Sequence, residues 1–168
     1  MIAPPLEADE YIARMTASSD TAVADLINAN LESMIPVAHK MGVTVLEASP
    51  GRAAASVPRD GNGNHFGVMY AGVLFTVAEI LGGILAIATF DNARYFPLVK
   101  NLEIAFVGKA MSDVRAEASL DPETICRVAA EADENGKSDY IVDAVVTDAE
   151  GRVVATTHGL YQLRAHAR

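Results

Sequence analysis

Between Phe66 and Phe90 the chain carries a single charged side chain, Glu79. A run of that length and polarity either crosses a bilayer or lies in a protein interior, and everything else in the fold must be arranged around it. Three features favour the interior. The charge falls mid-run, where hydrocarbon penalises it most. Gly67, Gly72, Gly82 and Gly83 interrupt the run. The sequence on either side reads as strands with one apolar face, which need a helix as cover. The spacing predicts a long buried helix from Ala71 to about Thr89.

At 168 residues the chain suits one domain with a sizeable core. There is no Trp and few aromatics, so aliphatic side chains and Ala must fill that core. A net charge of -9 repels phosphate backbones and argues against general nucleic-acid binding. The segment from Met1 to Glu10 is acidic without an apolar centre, so neither a secretory signal nor a membrane partner is expected, and the cytoplasm is the default location. The lone Cys126 excludes an intramolecular disulfide and a cysteine-based metal site. It lies in Thr124-Ile125-Cys126-Arg127-Val128, which alternates like a strand, and is read as a small packed residue.

Along the chain, residues 1–18 read as a polar lead, with Pro4-Pro5 favouring extended backbone. Ser19 or Asp20 is placed to cap a helix running through Ala24, Leu26, Ile27, Leu31 and Met34, which Pro36 ends. Strands are expected over 41–48 and 52–57, and Pro58 to Asn64 is the clearest loop. After the long helix the period changes to two. Strands are expected over 98–107, 113–120, 125–131, 140–147 and 152–163, with a hairpin turn at Asp133-Glu134-Asn135-Gly136 and another at 148–151. The layout is α+β: a curved antiparallel sheet wrapped around a long central helix. Residues 1–37 are read as an N-terminal extension with one helix and 38–168 as the main domain.

The chemistry concentrates where the loop meets the long helix. A helix start offers backbone N–H groups without acceptors and the positive end of a dipole, which suit a carbonyl oxygen gaining negative charge. Two turns beyond Gly72 the helix carries Glu79, and a carboxylate in so apolar a segment is costly unless it is paired, hydrated or used.

The run Asn64-His65-Phe66-Gly67-Val68-Met69-Tyr70-Ala71-Gly72-Val73-Leu74-Phe75-Thr76-Val77-Ala78-Glu79 resembles the signature of PaaI-like hotdog-fold acyl-CoA thioesterases. That signature is Asn-x-x-Gly-x-x-His-Gly-Gly followed by an apolar helix ending in Ala-Asp or Ala-Glu. Asn64, Gly67, Gly72 and Glu79 fall on its positions, while Tyr70 and Ala71 stand where it has His and Gly. Asp113 to Ala118 and Asp148 to Ala155 are similar to the family's later strands, so the resemblance spans residues 38–165. It implies a hotdog fold and hydrolysis of a small or medium acyl-CoA without metal or redox cofactor. Glu79 would act as general base or nucleophile, Asn64 would orient water or the thioester, and the Gly72 N–H would polarise the carbonyl. His65, Phe66, Gly67, Tyr70 and Phe75 would contact substrate. Sites of this family lie between subunits, so a homodimer or a dimer of dimers is implied. Arg94, Lys100, Lys109 and Arg115 are available for CoA phosphates.

Other readings stay open at this point. Asn64 is also a natural turn residue, and Gly67 and Gly72 suit tight turns. Asp60 and His65 have the spacing of hotdog hydratases, which act on enoyl or β-hydroxyacyl substrates, although there a longer segment separates His from the helix. A non-catalytic acyl-CoA binding module is the third reading. His39, His158 and His166 are scattered, and His65 lacks a second ligand at metal spacing.

Overall fold

The computed structural model describes residues 20–167. The lead expected over 1–18 and the possible cap at Ser19 lie outside them. Four helices and six strands follow in the order α1 (Asp20–Met34), α2 (Pro36–Lys40), β1 (Thr44–Ser49), β2 (Arg52–Val57), α3 (Ala71–Thr89), β3 (Tyr95–Phe106), β4 (Val114–Ser119), α4 (Pro122–Asn135), β5 (Lys137–Asp148) and β6 (Val153–Ala165). The strands form one sheet in the order β1-β2-β4-β5-β6-β3, and every neighbouring pair is antiparallel. The helix α3 packs against all six strands. This is the α+β hotdog fold.

Alternation explains the layering. Along β5 the even-numbered residues Ser138, Tyr140, Val142, Ala144, Val146 and Asp148 are buried, while most odd-numbered ones are exposed. A period of two puts one face on α3 and the other outward. Ala53, Ala55, Ala116 and Ala144 line the inner face with small side chains. They leave room for the bulk of α3, whose Val77, Leu81 and Leu85 are fully buried. By length and composition α3 could cross a membrane, but here it lies under the sheet.

The two sheet edges differ. At β1, the Asn28 side chain of α1 accepts from the Val45 N–H and donates to the Val45 carbonyl, both at 2.8 Å. A side-chain amide thus takes the place of a neighbouring strand, while Ala24, Ile27 and Leu31 of α1 are buried in the same core. At the other end β3 has no neighbour beyond it among the described residues and exposes Leu98, Val99 and Phe106.

Two expectations are overturned. Residues 125–131 form the middle of α4, not a strand, and Cys126 therefore lies on a helix. Asp121 caps that helix by accepting from the Thr124 N–H at 2.8 Å, Pro122 opens the first turn, and Ile125, Val128 and Ala132 make its buried stripe. The expected hairpin turn is the end of this helix. Gly136 adopts a left-handed φ of 72° and its N–H bonds the Ala132 carbonyl. Pro36 also does more than end α1: it occupies the first turn of α2.

Candidate active site

The loop before α3 is held at both ends and in the middle. Asn62 is buried, and its side-chain Nδ2 donates to the carbonyls of Met41 and Pro58. Its own carbonyl accepts from the Tyr70 N–H at 2.8 Å. Between these ties Gly63 bridges to Met69, and the Asn64 N–H donates to the Val68 carbonyl. Met69 in turn donates to the Ala110 carbonyl at 2.9 Å. The Arg59 guanidinium crosses the loop, donating to the Gly67 carbonyl at 2.6 Å and sitting 3.0 Å from where a Cβ on Gly63 would lie. Neither Asn62 nor Arg59 stood out in the sequence. Arg59 is the only cation from Pro58 to Tyr70, which was the signal available.

Within this frame Asn64 makes an Asx turn, its Oδ1 accepting from the Phe66 N–H at 2.9 Å. Gly67 holds a φ of 78°, the left-handed region that favours glycine. His65 and Phe66 are exposed with their rings in contact, centroids 3.9 Å apart. Tyr70 is the N-cap of α3 in extended conformation, and its side chain makes no capping bond. Its ring folds over the helix start, so that a Cβ on Gly72 would lie 2.5 Å from Tyr70 Cε1. The N–H groups of Ala71 and Gly72 precede the first intrahelical bond, which runs from Val73 to the Tyr70 carbonyl at 2.9 Å.

From that start a stripe of α3 stays only partly covered: Gly72, Phe75 with its neighbour Thr76, Glu79, Gly83 and Ile87, at helical spacing. Glu79 is half-buried in it, and burial pushes its carboxyl above the usual carboxylate range. No cation pairs with it among the described residues. Beneath it, Tyr161 of β6 donates its hydroxyl to the Glu79 backbone carbonyl at 2.8 Å. The structure thus places Asn64, Gly67, Tyr70, Gly72, Phe75 and Glu79 along one loop and one helix stripe, with His65 and Phe66 at the outer turn.

The candidate phosphate-binding cations fare differently. Arg94 pairs with Asp133, Lys100 with Asp139 at 2.7 Å, and Arg115 with Glu117 at 2.7 Å. Lys109 makes no ion pair among the described residues and adjoins Ala110, the residue that holds Met69. Asp60 and His65 are both exposed. Among the described residues no cluster of His, Cys, Asp and Glu is disposed to hold a metal ion.

The family model described as a domain of unknown function, DUF4442, matches residues 24–161. The chain belongs to the DUF4442 family. No curated protein matches it. Among solved structures this DUF4442 chain is similar to PA5026 of Pseudomonas aeruginosa, a protein of unknown function described as a probable thioesterase. The two share 42% identity over 84% of this chain and 95% of that one, with a TM-score of 0.79. It is also similar to a Chlorobaculum tepidum protein of unknown function, OLEI01261, at 13% identity over 88% and 98% of the two chains and a TM-score of 0.78. The thioesterase HI1161 of Haemophilus influenzae matches at 12% identity over 88% and 92% and a TM-score of 0.65. At the last two identities the common ground is the fold. The hotdog assignment and the resemblance to its thioesterases, read from Asn64 to Glu79, agree with these neighbours.

Proposed function

We propose that this protein hydrolyses the thioester of a small or medium acyl-CoA, with Glu79 as general base or nucleophile in a site shared by two copies of the chain. The observation that carries the reading is Glu79 itself. It is the only ionisable group on α3, it is half-buried on the helix's partly covered stripe, and its proton affinity is raised by burial. A carboxylate so placed is a stronger base towards water than an exposed one. The N–H groups at the start of α3 suit the thioester oxygen as it gains charge, and Phe75 and Tyr70 offer apolar surface to the acyl chain. The name of PA5026 as a probable thioesterase supports the same reaction class.

Helix geometry supports a shared site. Gly72 and Glu79 are seven residues apart, about 10 Å along the axis. That separation is long for one water and one carbonyl held between them. Two helices side by side, each presenting the stripe from Gly72 to Ile87, would set the Glu79 of one against the helix start of the other. The unpartnered edge of β3 offers a route to such pairing, since exposed strand edges invite another strand. The α1 helix blocks the opposite edge.

The test is a panel of acyl-CoAs read by release of free thiol, with the oligomeric state measured by sedimentation. Turnover abolished in Glu79→Gln and kept in Asp60→Asn is expected. Turnover that survives in Glu79→Gln would sink the assignment. Ligand-dependent thermal stabilisation without turnover across the panel would replace hydrolysis by binding.

A further inference from the structure

Two glycines on different elements are vacated for one aromatic ring. A Cβ on Gly82 of α3 would lie 2.0 Å from Tyr161 Cε1, and a Cβ on Gly159 of β6 would lie 2.6 Å from Tyr161 Cε2. The ring, almost wholly buried, therefore occupies a slot between helix and sheet that any side chain at either position would fill. At the end of the slot its hydroxyl reaches the carbonyl of Glu79. Tyr140 on the adjacent strand stacks against the ring, with centroids 5.9 Å apart and planes tilted by 24°. Its own hydroxyl is buried and has no hydrogen-bond partner among the described residues. Of two neighbouring buried tyrosines, one is anchored by its hydroxyl and one is not.

We propose that Tyr161 is a positioning residue for Glu79: its hydroxyl, aimed by the slot between Gly82 and Gly159, ties the helical turn that carries the carboxylate to strand β6. The inference rests on the hydrolytic reading of Glu79. A helix packed only through apolar side chains can slide and rotate slightly on a sheet, because those contacts carry little direction. A hydrogen bond from a buried phenol fixes both the height and the rotation of the turn it grips. The bond goes to the backbone of Glu79, so it sets where the side chain starts without occupying the carboxylate. The Glu79 charge also lies within electrostatic reach of the phenol: after burial, it is the next cause that holds the Tyr161 hydroxyl protonated and hence a donor.

The experiment compares Tyr161→Phe with Tyr140→Phe in the full chain. Tyr161→Phe keeps the ring in its slot and removes only the hydroxyl. It is expected to lower kcat by about ten- to a hundredfold with KM within about twofold, since misplacing a reacting group by a fraction of an ångström costs this much. Tyr140→Phe is expected to leave both constants unchanged. A Tyr161→Phe enzyme with wild-type kcat overturns the proposal, as does an equal loss of kcat in Tyr140→Phe. Amide hydrogen exchange supplies a readout independent of turnover: faster exchange confined to residues 79–83 in Tyr161→Phe upholds the tie, and unchanged or uniformly raised exchange overturns it. If the wild-type protein hydrolyses no thioester in the panel, the functional reading fails, and the exchange result alone decides whether the tie exists.

Discussion

The helices α3 and α4 lie under the same sheet, yet they are built by opposite rules. In α3 the sequence is apolar nearly all round, no acidic residue sits in the first turn, and the N-cap Tyr70 makes no side-chain bond. In α4 only Ile125, Val128 and Ala132 are buried, and the ends are fixed by Asp121 and Gly136. One helix is specified by what surrounds it, the other by its own termini. The difference teaches where a carboxylate can be spared for chemistry. Two of the four acids of α4 are engaged: Glu131 accepts from Ser138 and Arg127, and Asp133 from Arg94. Among the described residues the acid of α3 has no such partner, and burial raises its proton affinity while those of Glu131 and Asp133 fall.

The sharpest way to break this contrast is to neutralise Glu79. Glu79→Gln is expected to lower thioester turnover by about 10²–10⁴-fold. It should also stabilise the fold near neutral pH. The folded-state carboxyl holds its proton more tightly than the unfolded one, so ionisation favours unfolding as pH rises through the folded value. Thermal melts of variant and wild type should therefore coincide in acid and separate towards neutrality, with the variant higher. The acid limb of kcat/KM in the wild type should lie above the usual carboxylate range. A variant no more stable at neutral than at acid pH would show that Glu79 is not held against its ionisation.

Next in size is Gly82→Ala. A methyl would gain about 1 kcal/mol of helix propensity but collide with the Tyr161 ring 2.0 Å away, for a net loss of about 2 kcal/mol in urea unfolding. Gly83→Ala, one residue on, meets nothing within 4 Å in the single chain and should stabilise it. If Gly83→Ala instead weakens dimer association in sedimentation, the stripe is a contact between copies.

In α4 the matching change is Asp121→Ala, which removes the acceptor for Thr124 and should lower Tm by roughly 2–4 °C while leaving turnover intact. The carboxyl is held below its usual range by the Thr124 backbone and side chain, so this difference should be present above that range and vanish in strong acid. The smallest effect belongs to Tyr140→Phe. Its hydroxyl has no partner among the described residues, so removal should be neutral or stabilising by up to about 1 kcal/mol.

The same contrast explains what the amino-acid order disclosed. Hydrophobicity sustained from Ala71 to Thr89 has few physical outcomes, and α3 was legible together with the alternating strands that enclose it. The loop residues Asn64 and Gly67 were legible as turn formers because turn chemistry is local. The segment 122–136 misled because Asn-Gly serves a hairpin and a helix end equally well, and Ile125-Cys126-Arg127-Val128 alternates over too few residues to exclude a helical stripe. The stronger signal was the pair Asp121-Pro122, a cap followed by a first-turn proline. Asn62 and Tyr161 could not be read in advance, because each acts through a backbone atom far along the chain: Met41 and Glu79.

Tyr70 and Gly72 have a joint consequence. The ring of one fills the space that a side chain on the other would need. A side chain at 72 requires the exposed Tyr70 ring to swing off the helix start. The residue at 70 thus decides how much room lies above Gly72, and Tyr70, which stands where the thioesterase signature has His, shapes the start of α3.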